Sequence, residues 1–115
     1  MKRHYTILLL LIFSLSSYAQ VEKTVIVEHF TNTRCSVCAA KNPAFYSIMD
    51  NYPQVLHIAY HPSSPYSTCV LSQHNPQEND SRANYYNLYG STPKLVLQGQ
   101  NVAVQTPLIT TDDIE

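Results

Sequence analysis

Cys35 and Cys38 enclose Ser36-Val37, a Cys-x-x-Cys pair lying between a short apolar run and a helix-like stretch. The position matters more than the spacing. A strand that delivers such a pair to a helix N-terminus puts the first sulfur among unpaired backbone N–H groups, where the helix dipole favours a thiolate. The thiolate is the species that attacks disulfides, so the pair reads first as a centre for thiol–disulfide exchange. Two plainer readings stand beside it: a short structural disulfide, or half of a zinc site.

Cys35 is the expected nucleophile, being nearest the helix N-terminus, and Arg34 beside it adds a positive charge that favours the thiolate. Cys38, about one helical turn further on, would attack the mixed disulfide and release the substrate. His29 leaves the preceding strand on the side of the pair and is a candidate base for the Cys38 proton. Glu28 is the substitute on the opposite face, so only one of the two can serve. A strand-end histidine with no special partner is the plain alternative. Cys69 is the odd thiol: a third redox partner, an intermolecular disulfide site or, given the following Val70-Leu71, a free cysteine packed as a small hydrophobe. His57, His61 and His74 could join the cysteines around copper or zinc, yet no compact ligand spacing supports this. Tyr85, Tyr86 and Tyr89 stand at helical spacing and read as core and rim.

These residues need elements to hold them. Val25 to Phe30 reads as a strand buried on both faces, with Val25 and Val27 on one and Ile26 and Phe30 on the other. Asn32 and Thr33 offer turn and N-cap chemistry. From Ser36 to about Asn51 the spacing is helical, offering Val37, Ala40, Ala44, Phe45, Ile48 and Met49 to a core. Pro43 inside that run is expected to kink it. Val55 to Tyr60 is a second strand, and His61 to His74 a loop. Asn75-Pro76-Gln77-Glu78 predicts a helix start with Asn75 as cap and Glu78 closing a capping box. That helix is expected to run to about Tyr89 and stop at Gly90. Lys94 to Gln98 and Val102 to Gln105 read as a hairpin turned by Gly99-Gln100. The order, β-α-β, a crossover helix and a hairpin, predicts an α/β fold. Thr110 to Glu115 reads as the threonine-capped start of a further, closing helix that this chain does not contain.

The chain opens like an export signal: Lys2 and Arg3, an apolar run from Ile7 to Phe13, then Ser17-Tyr18-Ala19 at a cleavage point after Ala19. The run is shorter than the roughly 20 residues a bilayer span needs, so no stable membrane insertion is expected after cleavage. Residues 1–19 are therefore read as signal peptide and 20–115 as one domain. A net charge of −1 and the lack of a basic cluster argue against nucleic acid as a partner. An oxidising compartment lets disulfides persist, and with three cysteines at least one thiol is left over from internal pairing.

With Cys35-Ser36-Val37-Cys38 after a strand, Pro43 five residues beyond, and Ser91-Thr92-Pro93 just before another strand, the chain from Val25 to about Gln105 resembles the thioredoxin-like superfamily. Glu28-His29-Phe30-Thr31 is similar to its exported and outer-membrane-associated bacterial branches. Arg34 stands where those proteins usually carry tryptophan, Ser36-Val37 where they carry Gly-Pro, and His29 in place of a buried carboxylate. The resemblance implies an exported thiol–disulfide oxidoreductase of the periplasm or outer surface of a Gram-negative-type bacterium. It implies a redox-active Cys35–Cys38 disulfide as the only redox group, with no metal or other cofactor. Cys35 would be the more exposed sulfur, and Pro93 a cis proline beside it. Thr92 would present its backbone to a substrate strand, the partners being protein thiols and disulfides and a redox partner protein.

Overall fold

The structure is a computed structural model that describes residues 23–115. The expected signal peptide, residues 1–19, lies outside the described residues. Four strands form one mixed sheet in the order β2-β1-β3-β4, where β1 is Ile26–Phe30, β2 Leu56–Tyr60, β3 Lys94–Leu97 and β4 Gln100–Val102. Among the described residues, three helices accompany them: α1 Ser36–Met49, α2 Val70–His74 and α3 Pro76–Tyr85. The α/β class expected from the element order is what forms. Strand β1 pairs parallel to β2 and antiparallel to β3, and β3 pairs antiparallel to β4.

Successive side chains of β1 enter two different cores, because a strand alternates faces residue by residue. Val27 packs with Phe45 and Met49 of α1, Leu95, and Leu108, Ile109 and Ile114 of the final segment. Phe30, on the other face, packs with Val96, Ala83 of α3 and the partly buried Tyr60, Tyr86 and Leu88. The central strand is thus covered on both sides, as its two-sided apolar pattern requires.

Helix α1 buries Cys38, Phe45 and Met49, with Asn42 and Ile48 half-buried, a stripe at helical spacing. Val37, Ala40 and Ala44, expected in the core, are exposed. The true stripe is carried partly by Cys38 and Asn42, which a search for apolar residues passes over. Pro43 stays inside the helix without ending it, removing the amide that would bond the Ala39 carbonyl. The cap is also not the expected one: Cys35 is the N-cap of α1, and Asn32 and Thr33 precede it. Asn32 instead braces the turn, its Oδ1 accepting the Arg34 amide at 2.9 Å and its Nδ2 donating to the Pro62 carbonyl at 3.1 Å.

The expected loop from His61 to His74 contains α2, a single short turn with no apolar periodicity to announce it. Asn75 does not cap α3 through its side chain, so the Asn75–Glu78 capping box is absent. Its carbonyl instead accepts the backbone and side-chain N–H groups of Asn79 at 3.3 and 2.7 Å. Helix α3 ends at Tyr85 rather than Tyr89, because Asn87 takes a left-handed φ of 57° and the Leu88 amide returns to the Ala83 carbonyl at 2.8 Å. The hairpin turns at Gln98-Gly99, one residue earlier than expected. Both residues have positive φ, 51° and 80°, the pattern of a two-residue turn whose twist matches the strands. Strand β4 consequently starts at Gln100 and ends at Val102. Thr110 does cap the final segment, exchanging hydrogen bonds with Asp113, but only a 3₁₀ turn over Thr111–Asp113 follows.

Candidate functional site

The chain leaves β1 with the Thr31 amide bonded to the Tyr60 carbonyl at 2.9 Å, turns on Asn32, and enters α1 at Cys35. Cys35 has extended backbone dihedrals, φ −87° and ψ 110°, which turn its side chain back over the first helical turn. Its sulfur accepts the Cys38 amide at 3.0 Å, doing with sulfur what an N-cap oxygen does for an orphan helical N–H. Cys35 and Cys38 form a disulfide, with their Cα atoms 5.2 Å apart.

Across from the helix, the Thr92 carbonyl oxygen lies 3.5 Å from the Cys35 sulfur. The Thr92–Pro93 peptide is cis, as are Ser64–Pro65 and Thr106–Pro107, and Pro93 is buried. The fold thus gathers Cys35, Cys38 and Thr92-Pro93 at the end of the sheet where β1 meets α1. Both cysteines are buried, Cys35 2% exposed and Cys38 1%. The cause lies in the cap geometry, which turns the sulfur onto the helix end while Thr92 lies against its other side. Arg34 is exposed and makes no hydrogen bond to either sulfur through its side chain.

His29 is wholly buried on the α1 side of β1. Its ring lies 4.4 Å from that of Phe45, 5.8 Å from His57 and 5.9 Å from Tyr46, measured between centroids. Neither ring nitrogen has a hydrogen-bond partner. Burial pushes its pKa down from 6.5 to about 3, with His57 and His61 adding repulsion, while the nearby Asn42 amide opposes the shift without meeting hydrogen-bond geometry. No hydrogen bond joins His29 to Cys38. Glu28 points to the other face and is committed there: Arg82 grips both its carboxylate oxygens, and the Tyr86 hydroxyl donates to it at 3.4 Å.

Cys69 is a free, fully buried thiol beside the site. It accepts the Thr33 hydroxyl at 3.2 Å. Burial works to raise its pKa, but hydrogen bonds from Thr33, Ser72 and Leu71 outweigh it and leave the thiol below its ordinary value. Among the described residues, no group of three or more His, Cys, Asp or Glu is placed to hold a metal ion, so His57, His61 and His74 do not converge with the cysteines. Nor is any described helix long and apolar enough to cross a membrane. Of the tyrosines, Tyr86 joins the core, Tyr85 is exposed, and Tyr89 reaches the Ser63 hydroxyl at 3.1 Å from the surface.

Asn42 is a site-building residue with no signal in the sequence. Its Nδ2 donates to the Thr31 hydroxyl at 2.9 Å, tying α1 to the end of β1. Arg82 is another, since only the packing of α3 on the sheet brings it to Glu28, 54 positions away. Comparison of the chain with protein-family models, curated proteins and solved structures gave no match.

Proposed function

We propose that this chain is an exported, thioredoxin-like thiol–disulfide oxidoreductase that exchanges disulfides with protein substrates outside the cytoplasm. The observation that carries the reading is the Cys35 sulfur at the N-cap of α1, accepting the Cys38 amide at 3.0 Å. Once the disulfide is reduced, the same amide and the positive end of the helix stabilise a thiolate on Cys35. That thiolate attacks a substrate disulfide and expels one substrate sulfur, forming a mixed disulfide. Cys38, deprotonated, then attacks the Cys35 sulfur, closes the Cys35–Cys38 bond and releases the second substrate thiolate. The substrate leaves reduced and the pair oxidised, and a redox partner protein restores the dithiol.

The Thr92 backbone beside Cys35 supports a role in docking an extended substrate segment by strand-like pairing, with Pro93 fixing its direction. His29 is the group we assign to receive the Cys38 proton. Burial lowers its pKa to about 3, so it is neutral at working pH and gives a received proton up rather than storing it. The export reading rests on residues 1–19 and on the stability of disulfides in oxidising compartments.

Replacing Cys35 by Ser is expected to abolish insulin reduction, and replacing Cys38 by Ser to trap mixed disulfides on Cys35. Full activity in the Cys35→Ser protein rejects the mechanism. A second reading, a structural disulfide in a non-enzymatic surface domain, is favoured by the burial of both sulfurs, 2% and 1% exposed. A redox titration separates the two: a potential below about −300 mV, resistant to the glutathione pool, supports the structural reading.

A further inference from the structure

His29 is sealed from solvent, so a proton delivered to it needs an onward route. The register of the parallel pair supplies one. Val27 stands opposite His57 and His29 opposite Ala59, which puts His57 on the same face as His29, one diagonal step away on the edge strand β2. The two imidazole rings lie 5.8 Å apart between centroids. Both nitrogens of His29 and the Nε2 of His57 are buried without a hydrogen-bond partner. His57 as a whole is only half-buried, so its side chain spans from the sealed Nε2 toward the outside.

We propose that His57 is the exit for the Cys38 proton, taking it from His29 at Nε2 and releasing one to solvent from Nδ1. The inference rests on the redox reading given above. The step balances without a further reactant: Cys38 loses a proton to one nitrogen of His29, and the proton moves directly or through one water to Nε2 of His57. The proton on Nδ1 then leaves to bulk, while the electron pair left on Cys38 closes the disulfide and the departing substrate sulfur carries the negative charge. His57 touches neither sulfur and acts only through His29.

The surroundings suit a relay that does not leak. Phe45 and Tyr46 of α1 wall both rings, 5.1 and 5.8 Å from His57, with Asn42 one turn earlier on the same helix. The titratable groups facing His29 are Tyr46 from α1, His57 from β2 and His61 just beyond it; Glu28 faces the other way, locked to Arg82. His61 also carries a sealed, partnerless Nδ1, but among the described residues no ring contact joins it to His29. Burial lowers the pKa of His57, which favours its neutral form, the form that keeps one ring nitrogen unprotonated as an acceptor.

Reaction of the reduced protein with the small disulfide 5,5′-dithiobis(2-nitrobenzoate) separates the steps. The first nitrothiobenzoate released reports attack by Cys35, and the second reports closure by Cys38. The His57→Phe protein, which fills the space without a nitrogen, is expected to keep the first phase unchanged, slow the second at least about tenfold and alter its pH profile. In His57→Ala, added imidazole is expected to restore the second phase. A second phase in His57→Phe equal to that of the wild type overturns the relay and leaves the redox reading standing. A wild-type protein that releases no second equivalent overturns both.

Discussion

The Cys38 amide donates its hydrogen to the Cys35 sulfur across 3.0 Å, so the second cysteine of the pair caps onto the first through its backbone. In the reduced protein this bond persists only to the extent that the sulfur is a good acceptor, and a thiolate is a far better acceptor than a thiol. Alkylation of the reduced protein followed against pH is therefore expected to show Cys35 reacting with a midpoint well below the ordinary thiol value of about 8.5. A midpoint at or above that value removes the basis for Cys35 as nucleophile.

The burial of His29 makes stability depend on acidity with a definite sign. In the unfolded chain its imidazole takes a proton near pH 6.5, whereas in the folded chain it refuses one until about pH 3. Between those values the unfolded state binds more protons, so stability is complete above about 6.5 and is lost as the pH falls. The slope from this residue is at most about 1.4 kcal/mol per pH unit. His57 and His61, lowered by burial too, act in the same direction. Denaturant titrations of His29→Phe at pH 4 and pH 7 are expected to differ less than those of the wild type. Equal pH dependence in the two proteins disproves the assignment.

Glu28 is buried on the face away from the cysteines, and Arg82 supplies its counter-charge. The guanidinium lies over the Tyr86 ring, 4.8 Å from its centroid, and donates to the Tyr86 hydroxyl at 2.9 Å. Arg82 itself is about one-third exposed, which weakens the pair below a fully buried one. Arg82→Leu strands the carboxylate and is expected to cost about 2–3 kcal/mol in urea denaturation. Restoring much of that loss with a second change, Glu28→Gln, is the matching expectation. A single-variant cost under about 0.5 kcal/mol shows that the pair carries no weight.

The hairpin offers a gain instead of a loss. Gln98 holds a left-handed φ of 51° beside Gly99, a conformation that a side chain such as glutamine adopts at a cost and asparagine more readily. Gln98→Asn is expected to raise stability by about 0.5 kcal/mol without moving the register of Leu97 against Gln100. A lower melting temperature in that variant contradicts the turn geometry.

Residue types and short-range spacing alone determined a good deal here. The strand before Cys35, the helix after it, the α/β alternation and the opposite facing of Glu28 and His29 all follow from periods of two and 3.6 residues, which act over a few positions and leave their mark in the order of residues. What tertiary structure decided involves partners far apart in the chain. Cys35 became the helix cap and is buried, with the Thr92 carbonyl, 57 positions away, against its sulfur. Asn42, not Ala40 or Ala44, faces inward because Thr31 is there to accept its amide. Helix α3 stopped at Tyr85, where the Leu88 amide turns back to the Ala83 carbonyl. His57 met His29 only when two strands paired in parallel, in a register set by burial of a shared face. Local rules assign each residue a conformation and a side, whereas solvent access, acidity and hydrogen-bond partners belong to the packed whole.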